Sequence, residues 1–441
     1  MEPTRKKELI ALRQALAQPE SWLAGPGAEG FAAARLATSR RLKKYEAQRK
    51  QDPVVVAALE TAAYLAGVLD AVAKQIPLVL ANPRWGEVER AQAAMQIKPG
   101  LWLGEKEGRW PRRQPQTDFN SASWRGAILI PTGGTGGRVR WAVHRWATLA
   151  AAAHALADFL DTNGCTHVST LPPCHVSGLM PAVRAIETGG QLWLENWKVL
   201  EGGTPPQLAP ERAIISLVPT QLLRLLKRRA VMDWLRHSRA ILLGGAAASP
   251  ALLWQARKLR LPITLAYGLT ETAAVVAAQR PRDFLAGRAL RVTPLPHAKI
   301  KIGERGRIII QAKSLFAGYY PALRRHRSFA TEDFGTMDTK GRLQVCGRLD
   351  RIIVTGGEKV HPAEVEQQIC STGLVKNVRV IGLPDEEWGE RVVAIYSGPS
   401  RTVSALSAAL RQKLSPASIP KVWIRTPDSR LGRNLALKGK L

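Results

Sequence analysis

Six short apolar runs, at residues 127–130, 166–171, 191–194, 213–218, 240–243 and 263–266, alternate with stretches of helical length. Runs this short and this apolar read as strands buried on both faces, and an intervening helix lets each strand return parallel to the last. The expected fold class is therefore α/β, with helices flanking parallel sheets. Ligands of such folds bind beyond the carboxyl ends of the strands. Gly133, His175, Thr220, Gly244, Gly245 and Tyr267 each lie just after a run, which is expected to gather them along one crevice.

The first run leads into Thr132, Gly133, Gly134, Thr135, Gly136 and Gly137, followed by Arg138 and Arg140. Glycines let backbone N–H groups turn inward toward an anion, and hydroxyls and guanidinium groups add donors and charge. The stretch is neither G-x-G-x-x-G nor a Walker loop, so neither of those nucleotide sites follows. Taken alone it is equally a glycine-rich surface turn.

With 441 residues, 45% of them hydrophobic, the chain can bury more than one core. No apolar h-region follows Met1, and Glu60, Asp70 and Lys74 interrupt the apolar stretch 54–80, so neither a secretory signal nor a membrane span is expected. Cys165, Cys174, Cys346 and Cys370 form no C-x-x-C pair, which argues against zinc and disulfides and for a cytoplasmic location. His175 follows Cys174, but neighbours on an extended chain point to opposite faces, so no Cys–His nucleophile is expected. The formal net charge of +29 suits polyanions. The cations are spread along the chain without a basic arm or an aromatic RNA-reading motif, so a basic surface that attracts small anions is expected, with no specific nucleic acid partner.

Residues 54–74 read as one helix, 76–81 as a strand, and 144–161 as a helix. Trp102, Trp110 and Trp124 read as packing residues. From about residue 288 short strands of period two suggest a small β-barrel-like subdomain. Domains are expected at 1–349, including that subdomain at about 288–349, and at 350–441, a small α+β domain.

Three later motifs follow the glycine loop in order: Tyr267-Gly-Leu-Thr270-Glu271; Arg348-Leu-Asp350 continuing to Gly356-Gly357; and Leu431-Gly-Arg433-Asn-Leu-Ala-Leu-Lys438. Together the four resemble the adenylate-forming superfamily of acyl- and aryl-CoA ligases, luciferases and peptide-synthetase adenylation domains. The resemblance implies an ATP-, Mg²⁺- and coenzyme A-dependent ligase that activates a small carboxylic acid as its acyl-AMP. Such chemistry mainly requires aligning two anions and offsetting their repulsion.

By resemblance, residues 132–140 would hold the outer phosphates, with Gly133, Val139 and Arg140 standing where serine, proline and lysine are common. Arginine keeps the charge and can grip phosphate bidentately. Gly244, Gly245 and Ala246 would pass the adenine, Tyr267 would stack on it, Thr270 would touch the α-phosphate, and Glu271 would hold Mg²⁺. Asp333 would bind the ribose with Arg348 nearby. Asp350 would be the hinge of a mobile C-terminal domain, and Gly356 and Gly357 would line the pantetheine tunnel. Lys438 would be the adenylation cation, with Arg433 the alternative register.

Within the superfamily, His175-Val-Ser177 with Arg184 two helical turns on, and the segment from Leu217 to Arg224, resemble the 2-succinylbenzoate–CoA ligases of menaquinone and phylloquinone synthesis. Such a dicarboxylate needs a cation for the acid group that is not activated. Arg184 and Ser177 are the candidates, with Arg224 and His175 beside them; an ordinary surface arginine is the alternative for Arg184. Other acids, a carrier-protein acceptor, or a non-catalytic basic derivative that binds nucleic acid are the competing functions. The oligomeric state stays open, a homodimer included.

Overall fold

The computed structural model describes residues 9–48, 52–105, 109–111, 119, 122–133, 138–323, 327–355, 358–385, 387–399, 403–411 and 413–426. The chain divides into two compact units: Met1–Ala247, Ala256–Ile300 and Ile310–Phe329 form the first, and Ala248–Gln255, Lys301–Ile309 and Ala330–Leu441 the second.

Two sheets frame the first unit. One has eight strands, in the order Leu23–Ala24, Gln191–Leu194, Thr166–Ser169, Ala213–Leu217, Ala240–Leu243, Ile263–Leu269, Ala274–Ala278 and Thr293–Pro294. Its first six strands pair in parallel and the last two antiparallel. The other sheet has seven, in the order Ala322–Leu323, Gly318–Tyr319, Val139–His144, Ile128–Gly133, Leu78–Leu80, Val54–Ala57 and Leu101–Gly104. Helices Thr61–Ala73, Trp146–Leu160 and Val176–Glu187 share one core with Leu192 and Leu194 of the first sheet and Val56, Leu80 and Ile130 of the second. The α/β class read from the alternating runs is the class observed.

Two assignments differ in kind from the sequence reading. Val54–Ala57 is a strand ahead of the Thr61–Ala73 helix, where one continuous helix was expected. All four of its residues are buried, so the run shows no alternation to betray a strand, although three consecutive β-branched valines favour one. His144 ends a strand, and the helix expected from it begins at Trp146. Asp333 lies within the strand Phe329–Met337. The tryptophans do pack: Trp102, Trp110 and Trp124 are buried on the outer side of the seven-stranded sheet, where Trp110 contacts Trp85 and Trp141.

Strands Ala298–Ile302, Arg307–Ala312, Phe329–Met337 and Leu343–Arg348 make a four-stranded sheet in that order. In the second unit five further strands, Ile353–Thr355, Glu358–Val360, Asn377–Asp385, Gly389–Ser397 and Val422–Arg425, form one sheet. Val365 and Ile369 of helix Pro362–Ser371 and Leu406 and Leu410 of helix Val403–Arg411 bury its apolar side chains, Val380 and Val392 among them. No described helix is long and apolar enough to cross a membrane.

Candidate active site

Thr132 and Gly133, at the start of the glycine stretch, lie in a pair of antiparallel strands. Strand Ile128–Gly133 pairs antiparallel with Val139–His144, placing Thr132 opposite Arg140 and Gly133 opposite Val139. Gly134, Thr135, Gly136 and Gly137 lie outside the described residues. This strand pair belongs to the seven-stranded sheet, whereas His175, Thr220, Gly244, Gly245 and Tyr267 are carried by the eight-stranded one. The single-sheet crevice expected from the sequence is thus corrected to two sheets, because an apolar run shows that it is a buried strand but not which sheet it joins.

A short segment, Phe316 to Tyr319, ties the two together. The Phe316 N–H donates to the Glu271 carbonyl at 2.9 Å and the Ala317 N–H to the Val143 carbonyl at 2.7 Å, while Tyr319 pairs with Ala142. The Tyr319 hydroxyl donates to Glu271 Oε1 at 2.5 Å, and the Arg140 guanidinium lies 3.8 Å from the Tyr319 ring centre. Burial, and then the Glu271 charge, push the Tyr319 phenol up, so it remains a donor at neutral pH. His144, fully buried, adds a second tie: its Nε2 lies 2.7 Å from the Thr270 carbonyl and its Nδ1 2.9 Å from Thr148 Oγ1. A carbonyl only accepts, which assigns the ring proton to Nε2. Arg140, Thr270 and Glu271, foreseen from the sequence, are therefore one connected cluster. Tyr319 and His144, which connect it, were not foreseen.

Burial lowers the His144 pKa from 6.5 to about 4. Below pH 6.5 the unfolded chain takes up a proton that the folded chain refuses, so this contribution is present above 6.5 and is lost as pH falls toward 4. Unfolding in urea between pH 6.5 and 4.5 is expected to show stability falling by about 1.4 kcal/mol per pH unit from such a histidine. His144→Asn should flatten that slope, and an unchanged slope would remove His144 from this role.

The Tyr267–Glu271 turn is held by close approach. A β-bulge interrupts the register at Tyr267 and Gly268, and a Cβ on Gly268 would lie 1.5 Å from the Ala274 carbonyl oxygen. Thr270–Thr272 forms a 3₁₀ turn in which the Leu269 N–H donates to Thr272 Oγ1 at 2.9 Å. Gly268→Ala is expected to cost roughly 3 kcal/mol or more, as forced overpacking against backbone does. A calorimetric Tm within a degree of the parent would contradict this.

Glu271 is 7% exposed, and the hydroxyl of Tyr319 takes one of its carboxylate oxygens. A single carboxylate suits Mg²⁺ that arrives already coordinated by phosphate and water, and does not suit a metal held by protein alone. No group of three or more His, Cys, Asp or Glu able to hold a metal occurs among the described residues. The donors present fit a metal–nucleotide complex. Beside the turn, a Cβ on Gly244 would come 3.0 Å from the Ala266 carbonyl oxygen, and Gly245 has φ +78°, a conformation that favours glycine. Ala246 is exposed.

In the second unit Asp333 and Arg348 are Cα partners across two strands, with Arg348 Nη1 3.6 Å from Asp333 Oδ1. Asp333 is buried and its N–H donates to Thr331 Oγ1 at 3.0 Å, while Glu332 turns aside to Arg307 at 3.1 Å. This pair, foreseen as a ribose site, is assembled within its own sheet. Asp350 lies in the 3₁₀ turn Leu349–Arg351. Gly356, Gly357, Arg433 and Lys438 lie outside the described residues.

The foreseen acyl-pocket residues separate. His175 caps the start of helix Val176–Glu187 and is exposed, while Ser177 is half-buried in its first turn. Cys174 is buried and its thiol is pushed up to about 12 by burial, which keeps it inert. Pro181 lies inside the helix and removes the N–H that would bond the Ser177 carbonyl. Arg184, in the last turn, is 3% exposed; its Nη2 donates to Ser216 Oγ at 3.1 Å, and its Nε has no partner among the described residues. Burial lowers its pKa only to about 10, so it is charged at pH 7. Arg224 differs: its side chain is 62% exposed and paired with Glu201 at 3.1 Å. That correction takes Arg224 out of the pocket, since a solvated ion pair does not select a buried acid.

The family description "AMP-binding enzyme" matches residues 101–320, and "AMP-binding enzyme C-terminal domain" matches residues 364–433. The chain belongs to the AMP-binding enzyme family. The first match of this AMP-binding enzyme ends just past Tyr319 and contains the strand pair, the Tyr267–Glu271 turn and Arg184. The 2-succinylbenzoate–CoA ligase of Escherichia coli is 32% identical over 318 residues, covering 70% of this chain and 67% of that one. A protein of the same name from Listeria monocytogenes is 31% identical over 309 residues, 67% of this chain and 65% of its own length. In fold, the chain is similar to o-succinylbenzoate CoA synthetase from Bacillus subtilis in complex with an acyl-adenylate intermediate, with TM-score 0.76, 22% identity and coverage of 96% and 95%.

Proposed function

We propose that this AMP-binding enzyme activates 2-succinylbenzoate with ATP and passes the acyl group to coenzyme A. One carboxylate oxygen attacks the α-phosphorus, a new C(O)O–P bond forms as the α–β bridge breaks, and pyrophosphate leaves. The CoA thiol, losing its proton, then displaces AMP. Thr132, Gly133 and the loop through Arg140 receive the outer phosphates, Thr270 donates to the α-phosphate, and Tyr319 holds Glu271 in place. Magnesium bound with the nucleotide at Glu271 would supply charge neutralisation. Gly244, Gly245, Ala246 and Tyr267 form the adenine site, and Asp333 with Arg348 the ribose site. Lys438 is the adenylation cation, with Arg433 the alternative, Asp350 is the hinge residue, and Gly356 and Gly357 are the residues for the pantetheine arm. Four free cysteines support a reducing, cytoplasmic setting.

The observation that carries the substrate is Arg184, a buried charge whose described partner is a neutral hydroxyl. Burying a cation without an anion is costly, and a monoacid would leave it so. A second carboxylate matches it, with the half-buried Ser177 nearer the entrance of the same helix. The names of the aligned ligases support the same acid.

The test is AMP and acyl-CoA formation across 2-succinylbenzoate, benzoate and medium-chain fatty acids, with CoA and a phosphopantetheinyl carrier protein as alternative acceptors. The expected kcat/KM for 2-succinylbenzoate with CoA exceeds the monoacids by roughly 1,000-fold or more, since a buried polar site left unpaired discriminates strongly. Equal turnover of monoacids refutes the substrate, and preference for the carrier protein refutes the acceptor.

A further inference from the structure

His167, which no step above uses, stands beside Arg184. It lies in strand Thr166–Ser169, 1% exposed. Its Cα pairs with Ile214 on the neighbouring strand, and Ser216 follows two residues along that strand. Period two therefore sends the His167 and Ser216 side chains to the same face of the sheet. Arg184 reaches that face from the Val176–Glu187 helix, 3.1 Å from Ser216 Oγ. The next row of the sheet continues the pattern: Ser216 pairs with Leu242, and Leu242 with Thr264, so Thr264 is on this face too.

Among the described residues neither ring nitrogen of His167, nor Arg184 Nε, nor Thr264 Oγ1 has a hydrogen-bond partner. Buried polar atoms in folded proteins are nearly always paired, so three such side chains on one patch mark a place completed by something else. Burial, and then the Arg184 charge, hold the ring well below its usual pKa, so His167 is neutral. A neutral imidazole has one bare nitrogen and one N–H. With a guanidinium beside the ring, the bare nitrogen is the one that suits the cation, which leaves the N–H for an anion.

We propose that His167 is a specificity-determining residue of the acyl pocket, donating its ring N–H to the same carboxylate that Arg184 holds. This rests on the dicarboxylate reading above and adds a recognition group to it. A neutral donor orients the acid without introducing a second buried cation that would lack a counter-ion when the pocket is empty. No bond or proton changes hands.

The experiment compares wild type, His167→Leu and His167→Gln with 2-succinylbenzoate and with its monocarboxylate analogue that lacks the acid group that is not activated. For His167→Leu the expected KM for 2-succinylbenzoate rises about 10- to 100-fold, the range for a lost hydrogen bond to a charged group. Its kcat and its KM for ATP should stay within about threefold, and the analogue, which lacks the carboxylate that His167 would meet, should be unaffected. His167→Gln, which keeps an N–H donor, should recover most of the loss. A loss shared equally by all acids identifies a packing residue and overturns the proposal, as does an unchanged preference. Should the leucine variant not fold, ¹⁵N imidazole spectra of the wild type decide: the His167 signals move on addition of the dicarboxylate but not of the analogue lacking the acid group that is not activated, and no movement overturns the proposal. A wild type that does not discriminate between the two acids sinks the dicarboxylate reading itself, whatever His167 does.

Discussion

Replacing Arg184 by methionine is expected to lower kcat/KM for 2-succinylbenzoate by about 1,000-fold, while the folded protein becomes no less stable. The two effects have one cause. The guanidinium is 3% exposed and is met by Ser216 Oγ alone among the described hydrogen-bond partners. Breaking a buried pair by removing one partner costs about 3–5 kcal/mol, and the substrate carboxylate would suffer that loss on entering a pocket without its cation. In the unliganded protein the same arginine is a buried charge without its counter-ion, and an apolar replacement of similar length is often neutral or stabilising there. Steady-state kinetics and a urea titration read the two sides separately. An equal loss for monoacids, or a variant destabilised as much as it is inactivated, would mean that Arg184 is a core residue and not a receptor.

The second large effect is expected at Glu271. Glu271→Gln should reduce the adenylation rate about 1,000-fold, in the range seen when a single preorganised electrostatic contact is removed from a transition state. The amide keeps a carbonyl for the Tyr319 hydroxyl, now 2.5 Å from Oε1, so the turn should remain folded. Raising Mg²⁺ should recover part of the activity, because the proposed role of the lost group is to bind the metal and not to donate a proton. Tyr319→Phe is expected to act more weakly, since it leaves the carboxylate in place but free to rotate. Isotope exchange between pyrophosphate and ATP measures both variants without the thiol step. A Glu271→Gln enzyme within tenfold of wild type at low Mg²⁺ would contradict the assignment.

What could be read in the chain and what could not have physical reasons. The parallel strands announced themselves through short apolar runs, and the ordered motifs named Arg140, Thr270, Glu271 and Arg348 as candidates, with Asp333 added from a separate stretch between them. The links between them were illegible. Tyr319 and His144 join the cluster only through pairing of strands far apart in sequence, and neither belongs to a motif. Val54–Ala57 looked helical because a strand buried on both faces has no period to display. Arg184 and Arg224 were both candidates on paper, with Arg184 the first choice, and burial separates a guanidinium whose described partner is a hydroxyl from one paired with Glu201 at the surface. His167 carried no signal at all until its strand register placed it on the sheet face of Ser216, the partner of Arg184.

The most direct test of an acyl-adenylate mechanism is to omit coenzyme A. Purified protein incubated with ATP, Mg²⁺ and 2-succinylbenzoate should accumulate 2-succinylbenzoyl-AMP in stoichiometric amount, detected by mass spectrometry together with one equivalent of pyrophosphate. ADP with phosphate, or ATP left intact with every acid offered, would contradict it.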